Sequence, residues 1–116
     1  MFATPVLQGQ TAIVTGGGTG IGLAIARALG RLGATVVLAS RNQEHLDAGV
    51  GELRSDGSRV LTVPVDVRDP ARVDAMVDQV VQATGRIDIL INNAAGNFVC
   101  RAEDLSPNGW NAVIGI

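Results

Sequence analysis

Four short apolar runs punctuate the chain, and between them apolar residues recur at helical spacing. Thr11-Ala12-Ile13-Val14-Thr15, Thr35-Val36-Val37-Leu38-Ala39, Val60-Leu61-Thr62-Val63-Pro64 and Ile87-Asp88-Ile89-Leu90-Ile91 are rich in β-branched residues and bounded by Gly, Pro, Asn or Asp. Near-continuous apolar runs of this kind predict strands covered on both faces. Three intervening stretches carry apolar residues at i, i+3/4 and i+7. The first holds Ile21, Ile25, Ala28, Leu29 and Leu32, the second Leu46, Val50 and Leu53, and the third Val73, Met76, Val77, Val80 and Val81. Each predicts a helix with one buried face. Asp69-Pro70 reads as an N-cap followed by proline in the first turn, and Ser106-Pro107 repeats the device ahead of a last helical stretch, Pro107 to Ile116. Gly33 and Gly57 stand where helices should stop.

The strands begin about 25 residues apart, the spacing of consecutive right-handed βαβ units. The pattern predicts an open parallel α/β sheet in the order 3-2-1-4, with helices on both faces. A sheet ending at the fourth strand would leave one edge bare and apolar. With the final helical stretch ending uncapped, the chain reads as one domain over 1–116, truncated after strand four and forming the N-terminal half of a larger enzyme.

Composition narrows the class. The chain has 116 residues, 47% hydrophobic and 17% charged, with a net charge of −2. That is a globular balance with no electrostatic footprint for nucleic acid or an anionic membrane surface. No apolar run approaches the ~18 residues of a membrane span. The single cysteine, Cys100, excludes an internal disulfide and points to a reducing cytoplasm. Tyrosine is absent, and all 9 basic residues are arginine.

Candidate chemistry begins where strand one passes into helix one, at Thr15-Gly16-Gly17-Gly18-Thr19-Gly20-Ile21-Gly22. Glycine lets the chain turn sharply, admits a diphosphate without a Cβ in the way, and packs the helix closely on the sheet. The first helical turn then offers unpaired N–H groups and a positive dipole end. Gly16, Gly18, Thr19, Gly20, Ile21 and Gly22 are the candidate phosphate-binding residues. The spacing G-x-x-x-G-x-G differs from the G-x-G-x-x-G of the ordinary dinucleotide fingerprint.

Together with Asp66 after strand three and Asn92-Asn93-Ala94 after strand four, this turn resembles the short-chain dehydrogenase/reductase family over about Leu7 to Ile116. The resemblance implies a Rossmann-type doubly wound sheet in three α/β/α layers and a nicotinamide cofactor. At the end of strand two an NAD-specific fold offers an acid to the ribose hydroxyls, whereas this sequence reads Ala39-Ser40-Arg41-Asn42. Arg41 would bind a 2′-phosphate with a charged fork and Ser40 could add a hydroxyl donor, so the expected cofactor is NADP(H). The resemblance gives Asp66 a hydrogen bond from the adenine amino group, sets the Val67 backbone beside it, and assigns Asn93, Ala94 and Gly96 to the cofactor ribose. Ala95 departs from the glycine many members have there.

The longer string Asn92-Asn93-Ala94-Ala95-Gly96-Asn97-Phe98, with Glu103-Asp104-Leu105-Ser106 beyond it, resembles the 2,4-dienoyl-CoA reductase branch. That branch implies NADPH-dependent reduction of an unsaturated acyl-CoA thioester in fatty-acid breakdown, Phe98 lining the acyl pocket, and a homotetramer. An ordinary hydrophobic loop contact is an equal reading of Phe98. The family's catalytic Asn, Ser, Tyr and Lys have no counterparts here, so no catalytic residue is assigned. A 3-oxoacyl thioester or other carbonyl is the alternative substrate, and a non-catalytic NADP-binding module is the alternative from another class. A methyltransferase would want an acid where Arg41 stands. His45 reads as a solvated helix residue, and Trp110 as an anchor of the last helix.

Overall fold

A computed structural model describes residues 6–16, 18, 20–66, 68–93 and 98–101, the last segment by its backbone. Its elements are β1 (Thr11–Thr15), α1 (Gly20–Arg31), β2 (Thr35–Ser40), α2 (Gln43–Ser55), β3 (Val60–Pro64), α3 (Pro70–Thr84), β4 (Ile89–Asn92) and β5 (Phe98–Arg101). The sheet order is β3-β2-β1-β4-β5. β1 pairs in parallel with β2 and β4, and β2 with β3, so the expected 3-2-1-4 order holds.

The helix punctuation follows the local chemistry. Asp69 caps α3 by accepting from the Ala71 N–H at 3.1 Å, with Pro70 in the first turn. Asn42 caps α2 by accepting from the His45 N–H at 3.1 Å. Gly33 and Gly57 follow α1 and α2 in left-handed conformations, at φ +102 and +81. Gly85 ends α3 in the same way.

Two apolar clusters make the layers. Ile13, Val37, Ala39, Val63 and Leu90 meet Val73, Met76 and Val80 of α3 on one face of the sheet. On the other face Val14, Val36, Leu38 and Ile91 meet Ala26 of α1 and Leu46 and Leu53 of α2. Alternate residues of β1 and β2 therefore enter opposite clusters, which is why their runs are apolar throughout. β3 lies at the sheet edge and departs from the expectation of strands covered on both faces: Leu61 stays 37% exposed.

Other expectations are corrected. The helical periodicity sets Ile21, Ala28, Leu32 and Val81 on buried faces, yet all four are exposed. Each lies in an end turn of its helix or just past it, where the sheet no longer covers the stripe. The fourth strand's edge is not bare, because β5 pairs antiparallel with β4, Asn92 opposite Phe98 and Ile89 opposite Arg101. A run of four residues beyond a small-residue segment is too short for periodicity to declare a strand. The last helical stretch, with Ser106-Pro107 and Trp110, lies outside the described residues.

Candidate cofactor site

The carboxyl ends of β1, β2, β3 and β4 collect the candidate residues, as the connections of a parallel α/β sheet require. Gly16 leaves β1 at φ +64 and its N–H donates to the Ala39 carbonyl at 2.8 Å, tying the turn to the end of β2. Gly20 opens α1 at φ +59. Gly22, in the first turn of the helix, is buried, and a Cβ there would collide with the Gly16 carbonyl and lie 2.8 Å from Asn93 Nδ2. Asn93 Nδ2 donates to the Gly16 carbonyl at 3.3 Å. Asn93, directly after β4, thus ties the end of that strand to the glycine turn. Asn92, buried beside it, accepts from Thr15 Oγ1 at 2.9 Å and links β4 to β1 at the same level.

Gly18 is also buried, for a reason its spacing did not reveal: a Cβ there would strike the backbone carbonyl of His45. The glycine turn packs against the first turn of α2. The His45 side chain itself is exposed, as expected. Ile21, 62% exposed, stands at the mouth of the turn.

A second group gathers at the ends of β2 and β3. Ser40 Oγ accepts the Asn42 N–H at 3.1 Å, which leaves its own O–H to donate elsewhere. Arg41 is 66% exposed and its Nη1 lies 3.8 Å from Asp66 Oδ2. Arg68 grips the same carboxylate more closely, Nε to Oδ1 at 3.1 Å and Nη2 to Oδ2 at 3.0 Å, and its backbone N–H adds a bond to Oδ1 at 3.0 Å. The Arg68 fork and N–H hold the Asp66 carboxyl at about 2, below the ordinary carboxylate range, with Arg41 adding a smaller push the same way. Arg72 lies 3.9 Å from Asp69 in the first turn of α3. A cavity of about 360 Å³ opens among Arg41, Pro64, Val65, Asp66, Asp69 and Arg72.

Gly16, Gly18, Gly20, Ile21 and Gly22 therefore share one end of the sheet with Asn93, and Ser40, Arg41 and Asp66 form a neighbouring group. Thr19, Val67, Ala94 and Gly96 lie outside the described residues. Phe98 begins β5, and its side chain lies outside the description. Arg68 is absent from the candidates the sequence offers, and Thr15 enters there only as the end of the first apolar run and the start of the glycine motif. An arginine two residues after the aspartate that follows β3, where an Asx turn brings side chain and backbone together, is the available signal for Arg68. No described helix is long and apolar enough to cross a membrane.

Sheet order, glycine turn and the switch point between β1 and β4 define a Rossmann-like α/β protein. Comparison with known proteins makes the class specific: the short chain dehydrogenase family model matches residues 10–116. The chain belongs to that family. It is 45% identical over 117 residues to a peroxisomal 2,4-dienoyl-CoA reductase of Danio rerio, covering 100% of this chain and 39% of that relative. A short chain dehydrogenase crystal structure from Bacillus anthracis superposes with a TM-score of 0.73 at 45% identity, covering 95% of this chain and 44% of that one. A metagenomic short-chain oxidoreductase in complex with NADP gives 0.76 at 39% identity, covering 96% and 51%. The chain spans about two-fifths of the curated relative's length.

Proposed function

We propose that residues 1–116 form the NADP(H)-binding part of a short-chain reductase acting on an unsaturated acyl-CoA thioester, in the manner of 2,4-dienoyl-CoA reductases. The observation that carries the cofactor choice is Arg41, an exposed guanidinium where an NAD-specific site would place an acid, facing the cavity beside Asp66. The residues fit the dinucleotide. Gly16 and Gly22 bring backbone to backbone where a diphosphate would approach the start of α1, and Ser40 keeps a free hydroxyl donor beside Arg41. Asp66 has about four acceptor positions, and the Arg68 bonds take most of them. One position remains for an adenine amino group.

Bound NADPH would supply the hydride. This chain's residues would seat it: the glycine turn with Thr19 at the diphosphate, Ser40 and Arg41 at the 2′-phosphate, Asp66 and Val67 at the adenine, and Asn93, Ala94 and Gly96 at the ribose. Phe98 would line the acyl pocket. The dienoyl-CoA reading is supported by identity to the Danio rerio reductase along the whole chain. The partners in this reading are the acyl-CoA substrate and further copies of the protein in a homotetramer, and the single cysteine supports a reducing compartment, read as the cytoplasm.

The test is NADPH oxidation by the intact protein with 2,4-dienoyl-CoA and 3-oxoacyl-CoA substrates in parallel. Faster turnover of the dienoyl thioester is expected. Turnover of the 3-oxoacyl thioester alone would move the activity to carbonyl reduction, and turnover of neither would contradict the thioester reading.

A further inference from the structure

Two guanidinium groups face one carboxylate at the ends of β2 and β3, and they hold it unequally. Arg68 makes a two-pronged fork at 3.0 and 3.1 Å and adds its backbone N–H, whereas Arg41 stands off at 3.8 Å, outside hydrogen-bond distance. Fork geometry with a charged acceptor is the stronger arrangement. Asp66 is therefore compensated by Arg68, and among the described residues Arg41 is left with most of its charge and all of its donors uncommitted. Arg72 and Asp69 pair with each other alongside. The cavity's own lining sets Arg41 and Arg72 against Asp66 and Asp69. Arg68, bound to Asp66 from beside the cavity, adds one further positive charge, and Arg41 is held less closely to that carboxylate than Arg68.

We propose that Arg68 is a positioning residue for cofactor selection: by occupying Asp66 it keeps that carboxylate from capturing Arg41, and so keeps Arg41 available to the 2′-phosphate. Without Arg68, the nearest cation to the Asp66 carboxylate among the described residues is Arg41. A fixed carboxylate would then compete with the phosphate for the same guanidinium, and its uncompensated charge would repel the phosphate directly. The low position of the Asp66 carboxyl fits this picture, since its ionised form is held chiefly by Arg68. Arg68 is 60% exposed and outside both apolar clusters, so its replacement leaves the core intact.

The inference rests on the NADP(H) reading of Arg41, and the experiment separates the two. Dissociation constants for NADP+ and NAD+ are measured by calorimetry on the intact protein, its Arg68→Gln variant and its Arg68→Lys variant. The wild type should prefer NADP+. Arg68→Gln should reduce the NADP+/NAD+ preference by about five-fold, the scale of a partly exposed charge interaction. Arg68→Lys, which still offers Asp66 a cation, should keep the preference within about two-fold of wild type. A wild type without NADP+ preference overturns the reading of Arg41. A wild-type preference that Arg68→Gln leaves intact overturns the role of Arg68 alone. Equal weakening of both cofactors, or a lysine variant as unselective as the glutamine one, shows that Arg68 merely shapes the loop and also overturns it.

Discussion

Gly22→Ala sets two effects of opposite sign against each other. Gly22 lies inside α1, where alanine is favoured over glycine by about 1 kcal/mol of helix propensity. The structure opposes that gain. A Cβ at Gly22 would collide with the Gly16 carbonyl oxygen, lie 2.9 Å from the Gly16 carbonyl carbon, and lie 2.8 Å from Asn93 Nδ2. Two of these are backbone atoms of a turn that is itself hydrogen-bonded to β2 through the Gly16 N–H. Asn93 could yield only by giving up its bond to Gly16. Overpacking costs about 1–3 kcal/mol, and against backbone the upper half of that range applies. The net expectation is a loss of about 1 to 2 kcal/mol, with weaker NADPH binding because the turn must move. Urea denaturation of the intact protein, read as a lower midpoint at unchanged slope, checks the stability, and calorimetry checks the binding. A Gly22→Ala protein as stable as wild type, with unchanged NADPH affinity, would refute the close-approach argument.

The companion substitution should go the other way. Gly51 lies in α2, and a Cβ built there meets nothing within 4 Å, so Gly51→Ala should stabilise by about 0.5–1 kcal/mol in the same denaturation experiment. Leu90 is fully buried between β1 and β5 and joins the α3-side cluster, so Leu90→Ala should cost about 2–5 kcal/mol, checked by the urea midpoint. The pH response has a definite sign. Asp66 titrates at about 2 in the folded protein, below its unfolded value of ~3.9. Its contribution is therefore fully present above ~3.9 and lost as pH falls through about 2. Asp66 adds no pH dependence between roughly pH 5 and 8, so a loss of NADP+ affinity on acidification through about pH 6 should come from the phosphate gaining a proton. NAD+, which lacks that phosphate, should show no such loss in a parallel titration.

Much of the architecture was legible because one face of every helix and both faces of the inner strands had to be covered. β1 and β3 span the residues their apolar runs marked, and Asp69-Pro70 and Gly33 punctuate the helices as their backbone preferences dictate. β5 was not legible, since four residues carry no period. Ile21, Ala28, Leu32 and Val81 misled because periodicity records which face a residue takes, not how far the sheet extends beneath it. The site divides similarly. Glycine spacing announced a turn between β1 and α1, but the need for glycine at position 18 comes from His45 on another helix, a contact with no sequence signature. Arg41 stood out by charge. That Arg68 rather than Arg41 grips Asp66 depended on the turn geometry at the end of β3.

We propose that the carboxyl end of this sheet selects a 2′-phosphate through Arg41. The most direct measurement is the affinity of the intact protein and its Arg41→Asp variant for NADPH and NADH. Tighter binding of NADPH by the wild type is expected, with a shift of preference toward NADH in the variant, because a carboxylate there repels the phosphate and can accept from the ribose hydroxyls. Unchanged relative affinities for the two cofactors would contradict it.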